Sequence, residues 1–295
     1  MKLCSASIRL LSEHRKVVYP IMKIGFLGAG NMGFAMLQGL AGSALCKNGT
    51  VSELLAYDPN PEKHEALRTI GVTICESAQT LADAADYLVL AVKPQMLADV
   101  LSALTLRKEQ VIISICAGIT ADFIRRYTIP EARIILVMPN TPLMLGEGAS
   151  ALARCAGITD AEFALAMEMF SSCGVAEEIP EQKMKEIIAI NGSSPAFLYY
   201  YAKGFLGFAA DEGIDPDAAL RLFAQSMIGS AKMLTDSGYT VEELIRMVSS
   251  PGGTTLAGLD RLCEGELVDT VRRCCDSCTN RAYALAGETR PEATD

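Results

Sequence analysis

The sequence predicts an α/β chain, a doubly wound parallel sheet followed by an all-helical domain, and three observations carry that prediction. Residues 23–40 read as a strand, a tight glycine turn and an amphipathic helix. Short apolar runs then alternate with helix-patterned segments, as strands joined by helical crossovers do. Beyond Pro180 the alternation stops and only helical patterning remains. With 295 residues the chain has material for two cores, since domains run to roughly 100–200 residues each.

Taken in order, Lys23 to Leu27 is a short apolar strand leading into Gly28-Ala29-Gly30-Asn31-Met32-Gly33, after which Phe34, Met36, Leu37 and Leu40 fall at helical spacing. Further strands are expected at Leu54 to Tyr57, Val72 to Ile74, Tyr87 to Val92, Val111 to Ile115 and Ile134 to Val137, with helices at Pro61 to Thr69 and Ser77 to Ala84. The near-continuous apolar runs at 87–92 and 111–115 require a sheet covered on both faces. After Gly148 the pattern changes. Thr159-Asp160-Ala161-Glu162 fits a capping box before a helix to Ser172, and Val175 to Ile179 fits a last strand.

Residues 182–295 read as helices broken at Gly192 to Pro195, Gly213 to Pro216, Gly238 and Pro251-Gly252-Gly253. The helix after Pro195 spreads Phe197, Leu198, Tyr201, Phe205, Leu206 and Phe208 around much of its circumference. So small a helical domain has little interior for it, and an obligate subunit interface is expected. The expected organisation is 1–21 as an N-terminal extension, 22–181 as the sheet domain and 182–295 as the helical domain. Residues 1–21 carry Lys2, Arg9, Arg15 and Lys16 against Glu13, a composition also found in organellar targeting peptides. Because Met22 opens a strand directly, a tail upstream of the fold is the simpler reading.

The formal charge of −9 sets the summed field against phosphate backbones and anionic lipid, so neither nucleic acid nor a membrane is expected as a partner. No run reaches the roughly 18–20 apolar residues of a membrane span. The ten cysteines are scattered along a long chain with no signal peptide, as in a reduced cytoplasmic protein. Cys275 and Cys278 form one C-x-x-C, but with no second such pair and only His14 and His64 as imidazoles no metal site is expected. His64 falls in the Pro61 to Thr69 helix pattern, where a solvated surface side chain is expected.

The glycine turn has the context that a dinucleotide needs. Gly28 permits the turn, Gly30 lets the backbone approach a pyrophosphate, Gly33 lets helix and strand pack, and the helix N-terminus faces the anion. This makes the first domain Rossmann-like, with an NADPH or NADH cofactor. Asp58 ends the second strand, where a carboxylate accepts from a ribose 2′-hydroxyl, and no arginine lies in 58–63 to take a 2′-phosphate, which tilts the reading towards NADH. Asp-Pro-Asn is also a common turn opener. Ala91-Val92-Lys93-Pro94 follows the most apolar strand, so Lys93 meets a ligand anion or simply faces solvent.

Ser250-Pro251-Gly252-Gly253-Thr254-Thr255 is a second glycine-rich turn opening a helix. Its successive N–H groups suit a carboxylate and a threonine hydroxyl there can meet a ring nitrogen, although plain helix capping gives the same pattern. The helical half has no histidine to serve as acid or base. Oxidising an alcohol needs a group to take the hydroxyl proton, whereas an imine can bind already protonated, so the chemistry leans towards C=N reduction.

At this point the chain resembles the Δ1-pyrroline-5-carboxylate reductase family. The likeness spans Met22 to about Leu285 and rests on the Gly28–Gly33 turn, Ala91-Val92-Lys93-Pro94-Gln95, Ser114-Ile115-Cys116-Ala117-Gly118-Ile119, Arg133 with Met138-Pro139-Asn140-Thr141-Pro142, and the 250–255 turn. The resemblance implies reduction of Δ1-pyrroline-5-carboxylate to L-proline, the last step of proline biosynthesis. It implies that Gly28, Ala29, Gly30, Asn31, Met32, Gly33, Ala91, Val92, Lys93, Pro94, Cys116 and Ala117 surround the nicotinamide cofactor. It further implies that Pro251, Gly252, Gly253 and Thr254 hold the substrate carboxylate, with Thr255 beside the ring nitrogen and Glu181 near the ring. A homodimer through the helical domain, in some members assembled into a decamer, is implied as well.

The chain departs from the family at Ser194, where a glycine is usual, and at Ala78, where an asparagine often helps to hold the ribose. Two other readings are a β-hydroxyacid dehydrogenase and a nucleotide-binding regulator without turnover. The first wants a Lys-x-x-x-Asn spacing that Lys183, Lys185 and Asn191 do not give.

Overall fold

The computed structural model describes residues 21–291, so the expected extension lies, but for Ile21, outside the described residues. The chain divides into two compact units, one of residues up to Gly192 together with Ala282–Glu288, the other built on Ser193–Arg281.

Among the described residues the first unit contains eight strands: β1 Met22–Leu27, β2 Val51–Tyr57, β3 Thr73–Ile74, β4 Tyr87–Leu90, β5 Val111–Ser114, β6 Arg133–Met138, β7 Gly148–Arg154 and β8 Gly174–Glu178. Between them run α1 Asn31–Gly42, α2 Ala44–Lys47, α3 His64–Thr69, α4 Ala78–Ala84, α5 Leu97–Ser102, α6 Ala121–Arg126 and α7 Asp160–Ser171. The sheet order is β3-β2-β1-β4-β5-β6-β7-β8. β1 to β6 are mutually parallel, β7 is antiparallel to β6, and β8 is parallel to β7.

The apolar runs are explained by a core on each side of the sheet. Ile24, Phe26, Val89, Ile113, Ile135 and Val137 face one way, under α1 and α7. Leu88, Leu90, Ile112, Ile134 and Leu136 face the other, under α4, α5 and α6. Side chains alternate faces along a strand, so a strand covered on both faces is apolar at every position. Gly25 is required where α4 crosses β1, because a Cβ there would lie 2.8 Å from Leu81 Cδ1.

β7 is the strand that the sequence reading missed. Alanine and glycine are poor strand formers, and Gly148 to Ala153 consists largely of both. Packing demands them: a Cβ at Gly148 would lie 2.7 Å from Leu143 Cβ, and one at Gly174, its β8 partner, 2.0 Å from the Gly148 carbonyl oxygen. The capping box before α7 forms as expected, with Thr159 and Glu162 each accepting from the other's backbone N–H.

The second unit is helical: α8 Ser194–Asp211, α9 Pro216–Asp236, α10 Val241–Met247, α11 Thr254–Glu264 and α12 Leu267–Leu285, whose end returns to the first unit. α8 meets α9 through an aromatic cluster, with Phe205 stacked on Phe223 at 4.5 Å and Tyr201 edge-on to Phe205 at 5.1 Å. The break between α11 and α12, at Gly265-Glu266, carries no proline or glycine pair and was not legible; Glu266 takes a left-handed φ of 49° there. Among the described residues no helix is long and apolar enough to cross a membrane.

Candidate active site

The strand order reverses between β1 and β4, and ligands of open α/β sheets bind at the carboxyl edge of that switch point. There the glycine turn folds against the end of β4. Gly28 has φ 97°, and a Cβ on it would lie 2.7 Å from the Ala91 carbonyl oxygen. A Cβ on Gly33 would lie 2.6 Å from the Gly28 carbonyl oxygen and 3.2 Å from Ala91 Cβ. Gly30 differs, because a Cβ on it would meet nothing within 4 Å. The space above Gly30 is open, and no side chain caps α1 among the described residues. Its first N–H groups, from Asn31, Met32 and Gly33, are therefore presented to an anion.

Neighbouring strands complete the edge. The buried Cys116 thiol donates to the Leu90 and Val92 carbonyls at 3.4 and 3.3 Å, tying the Cys116-Ala117 turn after β5 to Val92. Burial pushes that thiol up to about 11, so it is a neutral structural donor. Lys93 is exposed and opens a short 3-10 turn at Pro94. At the end of β2, Asp58 Oδ2 accepts from the Ala29 N–H at 2.8 Å and pairs with Lys63 Nζ at 2.9 Å, while Oδ1 accepts from the Asn60 N–H at 2.9 Å. Burial raises the Asp58 carboxyl, but these donors outweigh it and hold it below its ordinary value. His64, read from sequence as a solvated surface side chain, instead donates from Nε2 to the Asp58 carbonyl at 2.8 Å.

Glu181 is the residue that the fold does not bring to this edge. Because β7 runs antiparallel, its end lies beside the start of β6, with Arg154 opposite Ile135. Glu181 lies there, against Cys155, whose thiol burial pushes up to about 12 with help from that carboxylate. This placement was not legible in the sequence, since a sequence position cannot reveal which way the strand before it runs. Arg133 is at the same end, donating to the Glu109 and Gly157 carbonyls at 3.1 Å each and pairing with Glu162.

Asn191 is the residue that the sequence reading did not single out for this edge. The chain after Glu181 returns through a one-turn π-helix, Ile188–Gly192, a geometry frequent at functional sites. From it the buried Asn191 Nδ2 donates to the carbonyls of Met138 at 2.7 Å and Ala149 at 3.1 Å. Asn140 Oδ1 accepts from the Ala149 N–H at 2.9 Å, so the Met-Pro-Asn turn after β6 is fixed from both sides. Buried side-chain amides bonding main chain are the signal available, but only once the partners are known.

In the helical unit, Ser250-Pro251-Gly252-Gly253 forms a type II turn, with Gly252 at φ 69° and the Gly253 N–H donating to Ser250 O at 2.9 Å. Gly253 precedes α11 without any side-chain cap among the described residues, and Thr254 and Thr255 are exposed on its first turn. Free N–H groups at such a helix start suit an anion, and here two exposed hydroxyls stand beside them. Cys274, Cys275 and Cys278 are half-buried on α12, Cys278 Sγ lying 3.3 Å from Ser193 Oγ.

An open glycine cradle at the switch point of a doubly wound sheet, followed by a helical unit with an uncapped glycine-rich helix start, defines a nicotinamide-dinucleotide-dependent oxidoreductase. The family profile described as pyrroline-5-carboxylate reductase dimerisation matches residues 181–285, and one described as NADP oxidoreductase, coenzyme F420-dependent, matches residues 23–118. With 35% identity to the pyrroline-5-carboxylate reductase of Escherichia coli, over 90% of this chain and 98% of that one, the chain belongs to the pyrroline-5-carboxylate reductase family. The pea (Pisum sativum) enzyme of that name is 31% identical over 89% of this chain and 96% of its own. Among solved structures, 1-pyrroline-5-carboxylate reductase from Streptococcus pyogenes superposes with a TM-score of 0.81 at 29% identity, covering 90% of this chain and 99% of that one. The Plasmodium falciparum pyrroline carboxylate reductase, solved with NADP bound, gives 0.82 at 28% identity, over 91% and 100%.

Proposed function

We propose that this chain reduces Δ1-pyrroline-5-carboxylate to L-proline with NADPH or NADH, the last step of proline biosynthesis. The observation that carries the reading is the open space above Gly30 beside the uncapped N–H groups of α1. Backbone can approach a pyrophosphate there without hindrance. Gly28 to Gly33 receive the pyrophosphate, Ala91 to Pro94 and Cys116-Ala117 line the nicotinamide end, and Asp58 marks the adenosine ribose. When bound, the dinucleotide supplies a hydride from its nicotinamide C4 to the imine carbon.

The remaining work falls to the Pro251–Thr255 turn. Backbone N–H groups from Gly253 to Thr255 hold the substrate carboxylate, and Thr254 lines that cradle. The Thr255 hydroxyl orients and polarises the ring nitrogen. The nitrogen arrives protonated as an iminium and becomes the secondary amine of proline once the hydride reaches carbon, so no further acid is needed. Holding the two reactants in register supplies most of the acceleration. Glu181, at the other edge of the sheet, has no part in the scheme. The assembly is a homodimer through the helical unit, with a decamer as the larger form that the resemblance implies. Scattered free thiols support a cytoplasmic setting.

The test is oxidation of NADPH and of NADH, separately, by the purified chain with Δ1-pyrroline-5-carboxylate at neutral pH. Turnover is expected. Thr255→Ala lowers kcat by roughly tenfold to a hundredfold, the effect of removing one hydrogen bond from the transition state, and leaves nucleotide affinity intact. A wild-type rate in that variant removes Thr255 from the scheme.

A further inference from the structure

The reading of Asp58 as a selector for NADH assumes a free carboxylate at the end of β2, and the structure holds it otherwise. Its side chain is 8% exposed, and both oxygens are engaged by the Ala29 and Asn60 N–H groups and by Lys63. Lys63 Nζ shares Oδ2 with the Ala29 N–H of the glycine turn, so the ammonium stands one carboxylate atom from that turn. Lys63 is itself held from behind: Pro61–Lys63 is a 3-10 turn whose Asn60 side chain accepts from the Glu62 N–H at 3.1 Å, and His64 is anchored on the Asp58 carbonyl. The other charged group of this loop is Glu62, exposed and facing Asn60 Nδ2 at 3.4 Å.

We infer that Lys63 sets the cofactor choice of this chain in favour of NADPH: its ammonium cancels the Asp58 carboxylate and pairs with the adenosine 2′-phosphate. This rests on the nucleotide-binding half of the reading above and is independent of the substrate. A bare aspartate here repels a 2′-phosphate. An aspartate carrying a lysine is a neutral pair. An ammonium has three donors, and at 37% side-chain exposure Lys63 keeps some of them for a ligand after one goes to Asp58. A phosphate dianion beside it gains a charge-assisted hydrogen bond, while a ribose hydroxyl gains little.

The experiment is calorimetric titration of the purified full-length chain with 2′,5′-ADP and with 5′-AMP, which differ by the phosphate alone and need no turnover. Wild type is expected to bind 2′,5′-ADP about tenfold more tightly or better, the scale of one hydrogen bond to a charged group. Lys63→Met, which leaves the Asp58 carboxylate bare, should bring 2′,5′-ADP down to the affinity of 5′-AMP or below it with 5′-AMP unaltered, which also reports an intact fold, and Lys63→Arg should keep the preference. Equal affinities in wild type, an unaltered ratio in Lys63→Met, or loss of both ligands together overturns the assignment. A 2′-phosphate preference without any turnover of the pyrroline would overturn the substrate reading and leave Lys63 in place.

Discussion

Gly30 and Gly33 stand three residues apart in one turn and answer an added side chain in opposite ways. At Gly33 a Cβ runs into the Gly28 carbonyl oxygen, backbone that cannot move aside, whereas at Gly30 it points into open space from an ordinary extended conformation. Gly33→Ala is therefore expected to lower stability by about 1–3 kcal/mol, as overpacking does. Gly30→Val should melt like wild type and lose nucleotide binding. Thermal unfolding together with a nucleotide titration separates the two, and a destabilised Gly30→Val would contradict the open cradle. Both glycines were legible in the sequence as one motif. Their different duties were not, because they depend on how the turn folds back: the Gly28 carbonyl and Ala91, more than fifty residues further along the chain, close on Gly33 and leave Gly30 open.

At the scale of elements, local chemistry sets the ends of several helices. The Thr159 hydroxyl accepts from the Glu162 N–H while the Glu162 carboxylate accepts from Thr159, and the same box recurs at Thr240 and Glu243 before α10. Replacing Thr159 by alanine should cost about 1 kcal/mol, measured as a fall in the unfolding midpoint. A replacement that costs nothing would mean that α7 is held by its packing face alone. That face is substantial, since Phe163, Ala166, Met169 and Phe170 all enter the core. Boundaries marked by such side chains were readable from the sequence. β7 was not, since its Gly148 is required by the closeness of β8 and Leu143 rather than by strand propensity, and its direction is what places Glu181 away from the carboxyl edge.

For the whole molecule, the helical unit buries little by itself. α9 has no fully buried residue, and Tyr200 on α8 and Leu222 on α9 are 79% and 70% exposed. Apolar surface on this scale marks an interaction site, and the segment lies within the stretch matched by the dimerisation profile. Sedimentation velocity should show a dimer or larger, and Tyr200→Glu with Leu222→Glu should shift it to monomer with loss of helical stability. A wild-type chain sedimenting as a stable monomer would refute the dimer.

The sequence by itself determined the doubly wound class, the glycine turn at its first crossover, the helical second half and the excess of apolar surface there. Each depends on the periodicity or turn chemistry of neighbouring residues. Only the tertiary structure decided that Lys63 sits on Asp58, that Asn191 fixes the turn after β6, and that Glu181 lies at the far edge. The first is set by the 3-10 turn that folds the loop after β2 back on itself, and the other two by strand order and strand direction, none of which an apolar pattern encodes.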